Sequence, residues 1–329
     1  MLREYVKLTR PFNLALTGMA PVLGALSMNE NSIVSFFVLF IIGCLSHIYG
    51  FVFNDYLDVE IDKTSKELDE RPLVSGAIKR KNALFFAFGS MILSWVFALY
   101  FFSTPYNFLM LVSILIFADI LATIYNFTSK KIPGMDFFVA SAVFFLILFG
   151  AATVSSDLTR FAIIVAFIGF IQVLFMNMIN GGLKDIDHDC RAGGKTAAVA
   201  LGVKVEKDKI IIPNSFRAVA YSIALVHLSI VFTPFIFLGM VYSTWQIIIL
   251  VTLSFITLYF VTKMLTMKTF IRKNMRKNIG LHVIFMYALA PVMMTSLNHY
   301  IGFLVFVPPV GFLLSNLILH GGMLKPETM

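Results

Sequence analysis

Charge is scarce in this sequence. Of 329 residues only 13% are Asp, Glu, Lys or Arg, and 18 acidic residues stand against 26 basic ones. Cysteine occurs twice, Cys44 within an apolar run and Cys190 in a polar one, which excludes a disulfide-stapled scaffold and provides no thiolate metal-ligand spacing. With 59% hydrophobic residues and a mean hydropathy of +0.87, a soluble globular chain is excluded as well. A cleavable leader is not expected: the first apolar run carries Pro11 and Pro21, lacks a small-residue cleavage site, and reads as a retained helix.

Long apolar runs are what the sequence does have. About ten are long enough to cross a bilayer, at 12–29, 33–56, 83–103, 106–126, 135–155, 160–181, 216–240, 245–265, 279–298 and 300–320. Continuous runs of this kind predict an all-α polytopic transmembrane bundle rather than a strand barrel, whose segments alternate. Threading ten spans in order puts 25 of the 26 basic residues on one side and leaves only Arg160 on the other. That asymmetry predicts an integral protein of the cell membrane with its basic loops in the cytoplasm. The net charge of +8 is then read as topology and attraction to membrane lipid, with no nucleic-acid partner.

Two acidic stretches interrupt this pattern on the basic side. The first runs Asn54-Asp55-Tyr56-Leu57-Asp58-Val59-Glu60-Ile61-Asp62. If the preceding helix continues through it, Asn54, Asp58 and Asp62 share one face with Asp55 on the flank. Stacked like charges weaken an isolated helix by roughly 0.2–0.5 kcal/mol per pair, so the pattern points to a cation. The second stretch, Asp185-Ile186-Asp187-His188-Asp189, repeats the four-residue step after another apolar run. Basic and hydroxyl groups accompany the acidic stretches: Arg71 beside Pro72, and Tyr125 ahead of Lys130. Each suits a phosphate oxygen, while Arg71 also suits an ordinary positive-inside loop and Tyr125 beside lysine an ordinary membrane-helix end. His47 reads as a packing residue, and Asp119 as facing the bundle interior. The Gly181-Gly182 pair permits a break or a close backbone approach.

Carboxylate oxygens on two helices suit Mg2+, a hard cation held by a few carboxylates together with phosphates. A lipid diphosphate fits such a site, its head on metal and basic groups and its chain among apolar helices. Diphosphate neutralised in this way leaves readily from an allylic carbon, with Phe and Tyr faces shielding the cation.

The residues now carry a resemblance. Asn54-Asp55-x-x-Asp58-x-x-x-Asp62 followed by Arg71-Pro72-Leu73-Val74-Ser75-Gly76 resembles the first signature of the UbiA superfamily of intramembrane prenyltransferases. Asp185-x-x-x-Asp189 followed by Ala192-Gly193-Gly194-Lys195-Thr196 resembles the second, and Arg10-Pro11-Phe12-Asn13 and the segment 125–131 are similar to that family as well. The resemblance covers about 5–298. It implies a nine-helix core, here with an extra C-terminal segment, forming a single transmembrane prenyltransferase domain over 1–329. Cytoplasmic loops at 57–82 and 183–215 would carry or cap the site. It implies Mg2+ as cofactor, with Asn54, Asp58, Asp62, Asp185 and Asp189 as metal residues. Asn54, Arg71, Lys130, Lys195 and Tyr125 would meet the substrate diphosphate. The chain departs from the pattern at Cys190, where relatives often place Arg, with Arg191 one step later.

The expected partners are a polyprenyl diphosphate and a lipophilic acceptor. The resemblance leaves the acceptor open between an aromatic quinone precursor, a glyceryl phosphate lipid and a tetrapyrrole. An acceptor hydroxyl would use a base, for which Asp55 is the candidate. The alternative is a polytopic transporter of an anionic or lipid substrate, which would place its charges near the bilayer midplane rather than at two helix ends.

Overall fold

A computed structural model describes residues 1–63 and 68–320, the side chains of Ile61 and His320 excepted. Lys66 and Lys325, two of the basic residues that bear on topology, lie outside the described residues. The helices run α1 (Leu2–Leu8), α2 (Pro11–Leu26), α3 (Ile33–Asp62), α4 (Arg80–Phe102), α5 (Phe108–Thr128), α6 (Asp136–Ala152) and α7 (Arg160–Leu174). A π-helical segment, Phe175–Gly181, joins α7 to α8 (Gly182–Arg191) without a break. Then come α9 (Ala197–Ala200), strands β1 (Lys204–Glu206) and β2 (Lys209–Ile211), α10 (Asn214–Phe237), α11 (Thr244–Leu265) and α12 (Arg272–Met294). A 3-10 segment, His299–Phe306, leads into α13 (Val307–His320).

The expected helical membrane bundle is what forms, and the chain is an integral membrane protein. Eight helices among the described residues are long and apolar enough to cross a membrane. The runs expected at 12–29 and 135–155 form the shorter α2 and α6, of 16 and 17 residues. At 1.5 Å per residue α2 is about 24 Å long, short of a ~30 Å hydrocarbon core. The expected runs overran the C-terminal ends of these two helices by three residues each, at 27–29 and 153–155, where polar residues alternate with Met28 and Val154.

Residues 57–62 and 183–191 are helical, so the polar connections proper begin at Lys63 and Ala192. The stretch from Lys204 to Ser215 folds partly into a hairpin, with Lys204 opposite Ile211 and Glu206 opposite Lys209. Val205 and Ile210 form its middle pair, and Lys207 takes φ 54 in the turn.

The described chain divides into two compact units. The first comprises Met1–Phe127, Ala142–Ala162 and the segment from Phe306. Its helices meet through small residues, as close helix approach without a large side chain requires. A Cβ on Gly24 would stand 1.9 Å from the Ile147 carbonyl oxygen, and one on Gly150 1.8 Å from that of Pro21. The second unit comprises Thr128–Ser141 and Ile163–Val305. Its core gathers Phe175, Ile179, Leu183, Ile186, Phe216 and Met275, all 0–1% exposed, so the inner face of α8 is anchored in apolar side chains.

Candidate active site

In the first unit α3 continues as helix through Asp62, so Asn54, Asp58 and Asp62 do recur on one face. Asp55, Asp58 and Asp62 are buried at 5%, 8% and 2% exposure, while Asn54 is half-buried. Carboxylates this deep are stable only when paired. Arg71 supplies part of the compensation: its Nη1 lies 2.5 Å from Asp62 Oδ2 and 3.6 Å from Asp55 Oδ1. The chain holds Arg71 there by a tight turn, in which Ser75 N–H donates to the Arg71 carbonyl and Ile78 N–H to that of Pro72. Leu73 and Ile78 pack into the core beside Val59. Gly76, at φ +74, closes the turn in a conformation that favours glycine.

Arg10 also reaches Asp55, donating to Oδ1, while its guanidinium lies 5.4 Å from the Phe51 ring centroid. The 45 residues that separate Arg10 from Asp55 leave no local signal of the pair in the sequence. Asp55 Oδ1 is thus engaged by two guanidiniums. His47 bonds Thr17 and the Thr9 carbonyl, each at 3.0 Å, which is the packing role expected of it. Asp119 accepts from Trp95 Nε1 at 2.7 Å and so ties α5 to α4.

In the second unit α8 carries Asp185, half-exposed with Lys184 Nζ at 3.4 Å, and Asp189, 6% exposed. The helix ends in a Schellman turn, with Gly194 N–H on the Asp189 carbonyl at 2.8 Å and Gly193 N–H on that of Cys190. Gly193 has the φ of +68 that this turn demands, which explains the glycine at that place in the motif. The turn delivers Lys195 and Thr196. Lys195 N–H donates to the Lys130 carbonyl at 2.9 Å, bringing two expected phosphate contacts onto one backbone bond. The Thr196 hydroxyl accepts from Val199 N–H to cap α9 and hydrogen-bonds the Asp189 carboxylate, which also lies in the field of Lys130 and Lys184. Gly182 confirms the close-approach reading: a Cβ there would stand 2.7 Å from Ala198 Cβ. Asp187, between the two step residues, pairs with Arg191 at 2.8 Å and with Arg272 at the start of α12. Tyr125 is half-buried in the last turn of α5.

Among the described residues no three His, Cys, Asp or Glu side chains come together as a metal cage. The donor chemistry nonetheless suits Mg2+, which is commonly held by one or two carboxylates with phosphate and water completing its shell. Guanidinium and ammonium groups beside carboxylates are also what an anionic phosphate head requires.

Fold and side chains therefore define a membrane-embedded helical protein with carboxylates at the C-terminal end of α3 and along α8, the first set tied by arginines and the second accompanied by lysines. The sequence profile of the UbiA prenyltransferase family matches residues 16–277. The chain is 30% identical over 208 residues to a digeranylgeranylglyceryl phosphate synthase of Thermococcus gammatolerans, covering 61% of this chain and 70% of that protein. It is 27% identical over 271 residues to the synthase of the same description from Hyperthermus butylicus, covering 79% and 83%. Two solved structures share the fold. A UbiA homologue from Archaeoglobus fulgidus bound to GPP and Mg2+ aligns with a TM-score of 0.63 at 16% identity, over 89% of this chain and 99% of that one. The apo structure of a UbiA homologue from Aeropyrum pernix K1 aligns at 0.61 and 15% identity, over 89% and 96%. The chain belongs to the UbiA prenyltransferase family and is a UbiA-type prenyltransferase. The transporter alternative falls with that assignment.

Proposed function

We propose that the chain transfers a prenyl group from an allylic prenyl diphosphate to the hydroxyl of a glyceryl phosphate lipid, on the cytoplasmic face of the cell membrane. The observation that favours this acceptor is that the relatives cited above are digeranylgeranylglyceryl phosphate synthases. An aromatic quinone precursor is the second acceptor class.

The reaction balances simply. The allylic C–O bond breaks with its electron pair leaving on diphosphate, the acceptor oxygen bonds the allylic carbon, and the hydroxyl proton passes to the base, Asp55. Mg2+, bound by residues drawn from Asn54, Asp58, Asp62, Asp185 and Asp189, would neutralise the charge that develops on the leaving diphosphate. Arg71, Lys130, Lys195 and Tyr125 are assigned to its oxygens, the arginine as a fork and the lysines as point charges. Asp55 is assigned as proton acceptor, its Oδ1 lying against the guanidiniums of Arg10 and Arg71. Loops 57–82 and 183–215 are assigned to carrying and capping the site within a single catalytic domain.

The test is transfer of label from geranylgeranyl diphosphate, in Mg2+-containing membranes, to a panel of geranylgeranylglyceryl phosphate, hydroxybenzoates and naphthoates. Product on the glyceryl phosphate is expected. Product on an aromatic ring alone overturns the acceptor and moves the assignment to quinone precursors.

A further inference from the structure

The π-helical segment between α7 and α8 leaves a mark in the burial pattern. Buried pairs recur at 161–162, 165–166, 168–169, 171–172 and 174–175, then step by five to 179–180, after which 182–183, 186 and 189 resume steps of three or four. One wide turn inserts one residue and rotates the helix beyond it by about 100° relative to an unbroken α-helix. Without the insertion each residue of α8 would take the place now held by the next one. Asp185 would fall where Ile186 sits in the core, and Asp189 would leave its buried place beside Thr196.

Side chains tie this segment to α12. Gln172, just ahead of it, donates to the Met286 carbonyl at 3.0 Å and to His227 Nε2 at 3.2 Å. Asn180, in its last turn, donates to His282 Nδ1 at 3.3 Å, and the Phe175 ring lies 4.7 Å from the His282 ring. Asn177 donates to the Val173 carbonyl at 2.9 Å, meeting an acceptor one turn back. Asn180 and His282 are 2% and 0% exposed. Because the Asn180 amide nitrogen donates, His282 Nδ1 accepts and the ring proton sits on Nε2. That Nε2 and Asn180 Oδ1 are buried atoms without hydrogen-bond partners among the described residues. An apolar pair of similar volume would avoid leaving both groups unmet, so stability alone does not account for this pair.

We propose that Asn180 and His282 are positioning residues that hold the π-helical segment, and through it the rotational phase in which α8 presents Asp185 and Asp189. Leu183 and Ile186 hold the same phase from the core side. The consequence for catalysis rests on the reading that the second acidic step binds the metal and diphosphate.

The test reads the phase directly and the reaction separately. With Cys44→Ser and Cys190→Ser removing the native thiols, His188→Cys reports on the half-buried position 188. If the insertion is lost, 188 moves to the buried place of Asp189, whereas Cys190 moves to the exposed place of Arg191. Asn180→Leu or His282→Leu is therefore expected to slow maleimide labelling at 188 by about threefold or more, as a substantial population shift would. Labelling of Cys190, in a chain retaining it, should be unchanged. Asn180→Ala serves where the leucine variants are not recovered as monodisperse protein. Unchanged or faster labelling at 188 overturns the proposal, because a pair that merely stiffens the bundle would loosen it when removed. The same variants should raise the Mg2+ concentration for half-maximal transfer by about threefold or more, with a smaller effect on kcat. Slowed labelling with an unaltered Mg2+ requirement upholds the phase-setting role and instead removes the second acidic step from metal binding.

Discussion

The two acidic steps share a spacing and differ in how their charge is held. At the end of α3, Asp55 and Asp62 are sunk to 5% and 2% exposure and tied by the guanidiniums of Arg10 and Arg71. On α8, Asp185 stays half-exposed beside Lys184, and Asp189 is covered by a hydroxyl, with Lys130 acting at a distance. A guanidinium fork fixes a carboxylate in direction as well as charge, while an ammonium on four methylenes supplies charge and little direction. The first step is therefore a rigid, internally compensated site and the second an open one. A divalent cation reaching the first must compete with arginine for the carboxylates, and a phosphate must compete with the carboxylates for arginine; at the second either meets lysine and threonine.

The largest expected effect sets that difference aside. Asp58→Ala and Asp185→Ala should each lower Mg2+-dependent transfer by about 100-fold or more, beyond the loss typical of groups that merely orient ligands. Membrane insertion and the detergent elution profile should be unchanged. Normal transfer by both variants would sink the assignment of two acidic steps to one reaction.

The comparison is sharpest in stability. Asp62→Ala removes the 2.5 Å partner of Arg71, which keeps Asp55 at 3.6 Å, and is expected to cost about 1.5–3 kcal/mol. Asp185→Ala removes a half-exposed carboxylate from a single 3.4 Å contact and should cost under about 1 kcal/mol. Equal melting shifts for the two variants would mean that the guanidinium compensation does not set them apart. In turnover, Arg71→Lys keeps the charge and loses the fork, and is expected to raise KM for prenyl diphosphate about tenfold. Lys195→Gln, at an exposed side chain, should change it by only about threefold.

Much of this was legible in the sequence because apolar length and basic asymmetry are physical requirements of a bilayer, and the four-residue acidic step is a property of one helix. What escaped was set by contacts distant in the chain. The pairing of Arg10 with Asp55 spans 45 residues and that of Asn180 with His282 spans 102, so no local pattern announces either. The π-helical segment carries Asn177, Asn180 and Gly181 in an otherwise apolar run, but its extra residue shows only once the buried faces on either side are known. The hairpin strands, three residues each, are too short for a period of two to register.

The smallest expected effect concerns the backbone beside each step. Both regions use a left-handed residue: Gly193 at φ +68 after α8, and Arg10 at φ 46, ψ 62 just before Pro11 opens α2. Glycine adopts that region freely, whereas a residue with a Cβ pays roughly 1–2 kcal/mol. The strain at Arg10 thus opposes its ion pair with Asp55, and two substitutions separate the terms. Arg10→Ala keeps the strain and loses the pair; Arg10→Gly loses both and should be the more stable of the two by about 1 kcal/mol. Gly193→Ala should cost about 1 kcal/mol by the same argument in reverse. Thermal unfolding in one detergent reads all three, with differences of about 1–2 °C expected. If Arg10→Gly is no more stable than Arg10→Ala, the left-handed geometry carries no cost, and the contrast between a strained first step and a relaxed second one fails.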